Sequence, residues 1–412
     1  MRLVRPIGLV STESGQSRRA SWLELFFDLI FVAAVAQVSV PLTLDYTLHG
    51  LARYALMFLL IWWAWLGHTV YSSRFDSDDV LHRILTFIQM FAAAAMAANA
   101  KAAFDSRDSA GFGAAYAVLR TVQAIHYFRA RRLPETRRLA TVYAAGSGLA
   151  AVGWAVAAVV PVPARFYIWM VALIVDLSTP WAVARYTHKF PPHPEHLPER
   201  FGLFTIILLG ESVAAVMRGM ESQESWPASA AISAISGLGL AFGYWWWYFD
   251  AAKGTAERQI KSRGSVAAFH IWTYAHFPLY LSIAVVGVGV EHVISLPVGS
   301  HLHREDSLIL VLAASAVLTM LEVVGLTSKD SSKHRSSLAR ACRLGAGLAV
   351  VPAVWISPAL PPYAVLVWLL GVCAAGLLLA EANRFMRPDR EQLSENSWRV
   401  TARKMLNATR IS

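Results

Sequence analysis

Two carboxylates in the first apolar stretch of the chain are the residues best placed to do chemistry. Glu24 and Asp28 stand in a run that begins at Trp22 and continues almost entirely apolar to Val40. Because they are four residues apart, a helix would place them one turn apart on one face. Burying a carboxylate in a membrane span costs about 2.5–3.5 kcal/mol on an insertion scale. The pair is therefore expected to have a role, either structural or functional.

A third carboxylate, Glu211, is related to Asp28 by an internal repeat. One shift of the sequence places Asp28 on Glu211 and the pair Trp62-Trp63 on the pair that begins at Trp245. Under this pseudo-symmetry, Asp28 and Glu211 would lie at equivalent depth beside a central axis, as a site for a cation, a proton or a substrate. In the alternative interpretation, each carboxylate accepts hydrogen bonds from a neighbouring span of its own half.

Arg120 is the one basic residue placed well inside a predicted span. It needs an acidic partner, which Asp28, Asp176 or Glu211 would supply, and binding of a substrate anion is the alternative. Glu24, at the start of its span, is interpreted as a helix cap with an ion pair. The predicted path for an ion or substrate is lined by Asp28, Glu211, Arg120, Asp176, Gln89 and His276.

The composition is that of a membrane protein with many spans. The 412 residues are 56% hydrophobic and 16% charged, with a mean hydropathy of +0.44, whereas soluble proteins carry about 25% charged residues. Cys342 and Cys373 fall in apolar segments and are interpreted as small core residues, so neither a disulfide framework nor a metal cluster is expected. Walker A, G-x-S-x-G, H-E-x-x-H and dinucleotide-binding motifs are absent from the sequence. No cofactor and no catalytic residue are predicted.

Twelve apolar segments are each long enough to cross about 30 Å of hydrocarbon. Thirty of the 37 Lys and Arg residues fall on the side of the two termini, against six on the other side. The positive-inside rule therefore predicts that both termini are cytoplasmic. The same asymmetry explains the net charge of +10 without a nucleic-acid partner, and the expected partner is the lipid bilayer. The predicted spans are 22–40, 52–72, 81–101, 111–129, 139–160, 164–185, 201–218, 228–249, 265–290, 307–327, 338–357 and 362–384.

The predicted fold class is an all-α polytopic membrane protein with about twelve transmembrane helices in two parallel six-helix repeats. The repeats are parallel because six is an even number of spans, so both halves enter the membrane in the same orientation. The predicted division is a cytoplasmic tail 1–20, a first repeat 21–188, a proline-rich cytoplasmic linker 189–200, a second repeat 201–385 and a basic cytoplasmic tail 386–412.

Two motifs resemble those of one bacterial family. The stretch Trp22-Leu-Glu-Leu-Phe-Phe-Asp-Leu-Ile-Phe-Val32 and the later Leu209-Gly-Glu-Ser212 are similar to signatures of the low-temperature-requirement protein A family, and the likeness covers essentially the whole chain. The resemblance implies a multi-pass bacterial membrane protein and carries over no catalytic residue. The positions that match its motifs are Glu24, Phe27, Asp28, Gly210 and Glu211.

The favoured function is transport or permeation of a small solute or ion past an intramembrane carboxylate pair. One alternative is a membrane-embedded enzyme or lipid-handling protein that uses His270, His276 and carboxylates as acid and base groups. Another is a structural or sensory protein in which every carboxylate is paired. A polar path bounded by the first and seventh spans would favour transport, and a lateral polar pocket near His270 and His276 would favour an enzyme.

Overall fold

The protein is almost entirely helical, which confirms the predicted all-α class. The computed structural model describes residues 5–10, 19–105, 108–187, 189–252, 263–327 and 336–386. Two short strands, β1 (Gly8–Leu9) and β2 (Phe75–Asp76), pair antiparallel. The helices are α1 (Trp22–Leu44), α2 (Leu48–Ser72), α3 (Val80–Ala98), α4 (Ala100–Phe104), α5 (Ala110–Ala130), α6 (Arg137–Val159), α7 (Ala164–Ala182), α8 (Ala184–Thr187), α9 (His196–Glu221), α10 (Ala228–Ala252), α11 (Arg263–Ser295), α12 (Arg304–Leu326), α13 (Ser336–Ala349), α14 (Ala353–Ile356) and α15 (Pro362–Met386).

Ten helical segments among the described residues are long and apolar enough to cross a membrane. Two further predicted spans, 111–129 and 164–185, coincide with α5 and α7, which are helical but are not among the ten. α5 carries Arg120 and α7 carries Asp176, and such residues lower the apolar character of a helix. The count of twelve spans and the two parallel six-helix repeats therefore stay predictions. The ten segments are Trp22–Leu44, Leu48–Ser72, Val80–Ala98, Arg137–Val159, His196–Glu221, Ala228–Asp250, Val266–Ser295, Arg304–Leu326, Arg340–Ala359 and Pro362–Ala382.

The helical bundle has two ends, which we name by the residues found there. At the Ser21 end, α1, α3 and α9 begin and α2 ends. At the Asp45 end, α1 and α9 end and α2 begins. The amide of Leu48 donates to a carboxylate oxygen of Glu305 at 2.7 Å, which ties the turn between α1 and α2 to the start of α12.

α1 begins with a reciprocal cap between Ser21 and Glu24. The Glu24 amide donates to the Ser21 hydroxyl at 3.3 Å, and the Ser21 amide donates to Oε2 of Glu24 at 2.8 Å. Such a capping box satisfies two of the amides that a helix start leaves without partners. The prediction that Glu24 caps this helix is confirmed.

Part of the predicted N-terminal tail is folded against the Ser21 end. β1 pairs with β2, and the Arg5 amide donates to Oδ2 of Asp79 at 2.9 Å. The Arg129 guanidinium donates to the same oxygen, and the His82 amide donates to Oδ1. Burial alone would raise the pKa of the Asp79 carboxyl, but these amides and the guanidinium hold that pKa below its usual range. Asp79 therefore joins the N-terminal segment to α3 and α5.

α9 begins at His196, inside the predicted linker 189–200. The His193 amide donates to the Ser73 carbonyl at 2.9 Å, which fixes the entry to the helix. His196 and Arg200 are completely buried, because α9 packs against α1, α10 and α11 along its length. The proline-rich sequence conceals this start, since proline is tolerated in the first turn of a helix. The predicted basic tail, from residue 387 onward, lies outside the described residues.

Candidate functional site

An arginine of α9 and an aspartate of α1 form the centre of the candidate site. Arg200 donates to both oxygens of Asp28, from Nε to Oδ2 at 2.7 Å and from Nη2 to Oδ1 at 2.5 Å. Trp65 of α2 donates from its indole Nε1 to the same Oδ1 at 2.6 Å. All three side chains are fully buried. The carboxylate of Asp28 is therefore stabilised by three donated hydrogen bonds inside the protein.

Glu24 extends this arrangement by one turn toward the Ser21 end. Its Oε1 lies 3.2 Å from Nη1 of Arg200, and its Oε2 lies 3.3 Å from Nε2 of His196. Nδ1 of His196 lies 3.0 Å from the Ser73 hydroxyl. We call Glu24, Asp28, Arg200 and His196 the α1–α9 cluster. It holds two carboxylates against one guanidinium, with the imidazole of His196 beside Glu24.

A cavity of about 390 Å³ lies beside the cluster at the Ser21 end. Its lining includes the exposed residues Trp22, Asp78 and Arg83 and the buried residues Glu24 and His68. At about 30 Å³ for each water, this volume corresponds to about a dozen water molecules. It also falls within the range of about 300–1,000 Å³ that is usual for small-molecule pockets. Of the four residues of the α1–α9 cluster, Glu24 is the one that lines this cavity.

Three buried histidines pack together next to this cavity. His68 and His82 line it, and the ring centroids of His68, His82 and His126 lie between 5.1 and 6.0 Å apart. The His68 ring also stacks on Phe27 at 4.1 Å. Across the described part of the chain, no three His, Cys, Asp or Glu side chains are grouped as ligands of a metal ion. The geometry of the three histidines is that of packed rings.

Arg120 pairs with Asp176, one of the three partners that the sequence offers. Its Nη1 lies 3.3 Å from Oδ2 of Asp176, and the Tyr116 hydroxyl donates to that oxygen at 3.0 Å. Both charged side chains are buried, and they line a separate cavity of about 60 Å³. Arg120 and Asp176 therefore lie together, as expected of a structural pair, but in a different cavity from Glu24.

The structure does not bring Glu211 and Asp28 together. Glu211 accepts a hydrogen bond from Arg218 at 2.9 Å, and Arg218 also pairs with Glu291 at 3.0 Å. Glu211 lines a small cavity with Ser39, which lies about 16 Å beyond Asp28 along α1. Each carboxylate has an arginine of its own, because a guanidinium stabilises a carboxylate whereas a second carboxylate would repel it. The expected shared site at equivalent depth is therefore not formed.

Gln89 and His276 are not among the described residues that line the cavity beside Glu24. Gln89 is buried on α3. Nδ1 of His276 donates to the Trp272 carbonyl at 2.7 Å, so its Nε2 accepts from the Tyr248 hydroxyl at 3.2 Å. These bonds make His276 a packing residue between α10 and α11.

Sequence patterns do not identify Arg200, His196 or Trp65 as site residues. Arg200 is the last residue of the predicted linker, and the apolar run starts only after it. The sequence therefore places this arginine in a loop outside the membrane. The signal that would have identified it is a matching spacing. His196 and Arg200 stand four residues apart, as Glu24 and Asp28 do, so two facing helices present two basic groups against two acidic groups.

Comparison with known proteins agrees with the two motifs. Residues 19–378 match the family model of the bacterial low temperature requirement A protein (LtrA). The chain is also 27% identical over 297 residues to a protein of Rhizobium meliloti (strain 1021) named "Uncharacterized protein RA0937", a match that covers 69% of this chain and 72% of that relative. No solved structure matches the chain. Because the family model covers most of the sequence, including the whole α1–α9 cluster, the protein belongs to the bacterial low temperature requirement A (LtrA) family.

Proposed function

We propose that the protein transports a small cation or a small cationic solute, which enters through the cavity beside Glu24. The observation that supports this function is the contact between a cavity of about 390 Å³ and a buried charged cluster that joins α1 to α9. Ionisable residues inside membrane spans are rare, and they mark ion paths and proton relays when they do more than stabilise the fold.

The charges around the cavity favour a cation. Glu24, Asp76 and Asp78 are in its lining, while Arg83 is the basic residue there and lies 2.9 Å from Asp78. The described lining therefore carries an excess of negative charge. A cleft with one sign of charge and low-dielectric walls raises the local concentration of the opposite ion.

Glu24 is the residue of the cluster that would exchange partners first. Its contacts with Arg200 and His196 measure 3.2 and 3.3 Å, whereas Asp28 holds Arg200 through bonds of 2.5 and 2.7 Å. A cation or proton that reaches Glu24 competes with these longer contacts. Asp28 is the inner site, which becomes free only when Arg200 moves.

Beyond Asp28, the path is closed in this conformation. A cavity lined by Ser39 and Glu211 lies further along the contact between α1 and α9, and it measures about 10 Å³. A space of that size holds about one water molecule at most. In the proposed mechanism this segment opens when Arg200 leaves Asp28, and Glu211 then stands on the far side of the path.

The proposal includes the topology that the basic residues predict. The Ser21 end would face the cytoplasm, because the positive-inside rule assigns the N-terminus and the more basic connections to that side. α5 and α7 complete a set of twelve spans in two parallel six-helix repeats. The cavity would then open to the cytoplasm of a bacterial inner membrane.

The arrangement of the histidines does not favour the enzyme alternative. His270 lines the cavity of about 60 Å³ near Arg120, but His276 is not among the described residues that line it. That volume corresponds to about two water molecules, which is too small for a lipid headgroup beside acid and base groups. The two histidines therefore do not form one lateral pocket in the described part of the chain.

Flux through proteoliposomes tests the proposed function. Protein would be reconstituted into vesicles loaded with fluorescent reporters for Na⁺, K⁺ or H⁺. We expect wild-type protein to conduct at least one of these ions, Glu24→Gln to slow that flux at least about tenfold, and Asp28→Asn to abolish it, because each removes a carboxylate of the path.

Glu322→Gln is the matched control. Glu322 is a buried carboxylate of α12 that accepts a hydrogen bond from Arg343 at 2.8 Å, and it does not line the cavity beside Glu24. This variant should keep wild-type flux. Wild-type flux in folded, monodisperse Asp28→Asn protein would refute the role of Asp28. Vesicles impermeable to all three ions would refute transport of an inorganic cation.

A further inference from the structure

The cavity near Arg120 contains more positive charge than its described lining balances. Arg74 and Arg120 both line it, both are at most 3% exposed, and Asp176 is the carboxylate of that lining. Asp176 is engaged by Nη1 of Arg120. Within the described residues, Arg74 has no carboxylate in ion-pair range. The lining therefore carries one positive charge in excess.

Several donors around this cavity are also without a partner in the described structure. Nε and Nη2 of Arg120 and Nε and Nη1 of Arg74 are buried and donate no hydrogen bond to the described groups. The Thr273 hydroxyl and Nε2 of His270, both in the same lining, are likewise without a partner. Buried polar groups are almost always hydrogen-bonded, so this many free donors around one space indicates that something else occupies it.

Aromatic contact compensates only part of the charge on Arg74. Its guanidinium carbon lies 5.7 Å from the centre of the Tyr143 ring, within the range of a cation–π interaction. Such an interaction restores only a small fraction of the hydration that a guanidinium loses on burial. A bound anion would restore the rest by bringing the lining to neutrality.

We propose that this cavity binds one small monovalent inorganic anion of the size of chloride or nitrate. Its volume of about 60 Å³ corresponds to about two water molecules, which excludes a sugar or a lipid headgroup. Arg74 and Arg120 hold the anion from two sides, and Thr273 and His270 complete its hydrogen bonds. The site lies apart from the cavity beside Glu24 and does not depend on the proposed transport function.

Thermal unfolding of the purified full-length protein, in an uncharged detergent at constant ionic strength, tests the site. The probe is sodium chloride exchanged stepwise for sodium gluconate, whose anion is too large for the cavity. We expect the Tm of the wild-type protein to rise with chloride and to saturate, since a ligand that binds the folded state stabilises it. The same Tm in chloride and in gluconate would overturn the proposal and assign the space to water.

Two variants test whether the chloride-dependent rise in Tm arises from this cavity. Arg74→Gln removes one guanidinium and should abolish the chloride-dependent rise in Tm. Gly67→Ala removes no polar atom, and its new methyl group would lie 3.6 Å from Nη1 of Arg120, an ordinary contact that fills part of the cavity. It should fold and should raise the chloride concentration at half-saturation at least about tenfold.

The control for the glycine variant is Gly371→Ala in α15, where an added methyl group meets nothing within 4 Å. It should keep the wild-type response to chloride. An unchanged chloride response in Gly67→Ala, or a response lost equally in Gly371→Ala, would overturn the assignment to this cavity even where Arg74→Gln fails to fold.

Discussion

α9 carries one arginine near each end, and each arginine is paired with two carboxylates. Arg200 contacts Glu24 and Asp28 at the Ser21 end, and Arg218 contacts Glu211 and Glu291 toward the Asp45 end. The two arginines are about 27 Å apart along the helix axis, close to the thickness of the hydrocarbon layer. We call the second group the Arg218 cluster.

The two clusters have the same kinds of residue but different surroundings. The side chains of Arg200 and Asp28 are completely buried, whereas those of Arg218 and Glu211 are 39% and 22% exposed. Water and ions screen an exposed pair, while a buried charge has only its protein partners. Burial, and not the residue types, therefore determines what each arginine contributes to the fold.

The largest expected effect is the loss of the buried arginine. Arg200→Gln leaves Asp28 and Glu24 without their main partner and should lower the free energy of unfolding by about 3–5 kcal/mol. Arg218→Gln should lower it by no more than about 1 kcal/mol, because its pairs are partly exposed. Unfolding of the purified variants in a mixed-micelle denaturant titration measures both values. Similar losses in the two variants would contradict the conclusion that burial determines how much each arginine contributes to stability.

Removal of a single hydrogen-bond donor to Asp28 measures how much one bond to a buried carboxylate contributes to stability. Trp65→Phe deletes the indole N–H that bonds to Asp28, and a hydrogen bond to a charged group contributes about 1.5–3 kcal/mol. Trp62, also on α2, is equally buried, and its Nε1 has no partner among the described residues. The same titration on Trp62→Phe gives the loss due to ring size alone. Equal losses would show that the bond to Asp28 adds nothing to stability.

The smallest expected effect concerns the buried ion pair of Asp79 and Arg129, in which Asp79 lies just outside the membrane spans. Because the pKa of Asp79 is held below its usual range, its charged form stabilises the fold fully above the unfolded pKa of about 3.9. This contribution is lost as the pH falls below about 4 and through the folded-state pKa. The Tm measured between pH 7 and pH 3 should therefore decline at the acid end, and Asp79→Asn should flatten that decline.

Asp78→Asn is the neighbouring control for the pH measurement. The Asp78 side chain is 63% exposed and pairs with Arg83 at the surface, so its loss should leave the pH profile unchanged. If Asp78→Asn reduced the decline of the Tm at low pH as much as Asp79→Asn does, exposed and buried carboxylates would contribute alike to stability. Burial would then not explain the difference between the α1–α9 cluster and the Arg218 cluster.

The helices were the most predictable part of the fold. A segment that crosses a bilayer must satisfy its backbone internally and remain apolar over about 20 residues, so a run such as the one around Asp28 identifies α1 directly. α5 and α7 show where this signal weakens. Arg120 and Asp176 form a buried ion pair. An average of hydropathy values still counts both residues as charged, although neither side chain faces the lipid or water.

The candidate site was only half predictable. The periodicity of α1 places Asp28 on one face of an apolar helix, which is a local property of the sequence. Its partner depends on which helix lies opposite, and that is a property of tertiary packing. Arg200 is the partner because α9 starts before its apolar run begins, a boundary that the prolines of the linker obscure.

The bond between Arg200 and Asp28 joins residues that are 172 positions apart in the chain. A ribosome adds about 5–20 residues each second, so about 10–35 s separate the synthesis of the two partners. During that interval α1 is already available for insertion, with both of its acids lacking the arginine that later binds them. Its insertion must therefore depend on the apolar residues around them, which give an 18-residue stretch within Trp22–Leu44 a mean hydropathy of 2.1. A variant of α1 with fewer of these apolar residues would then be lost during synthesis, before the folded protein could be stabilised by the ion pair.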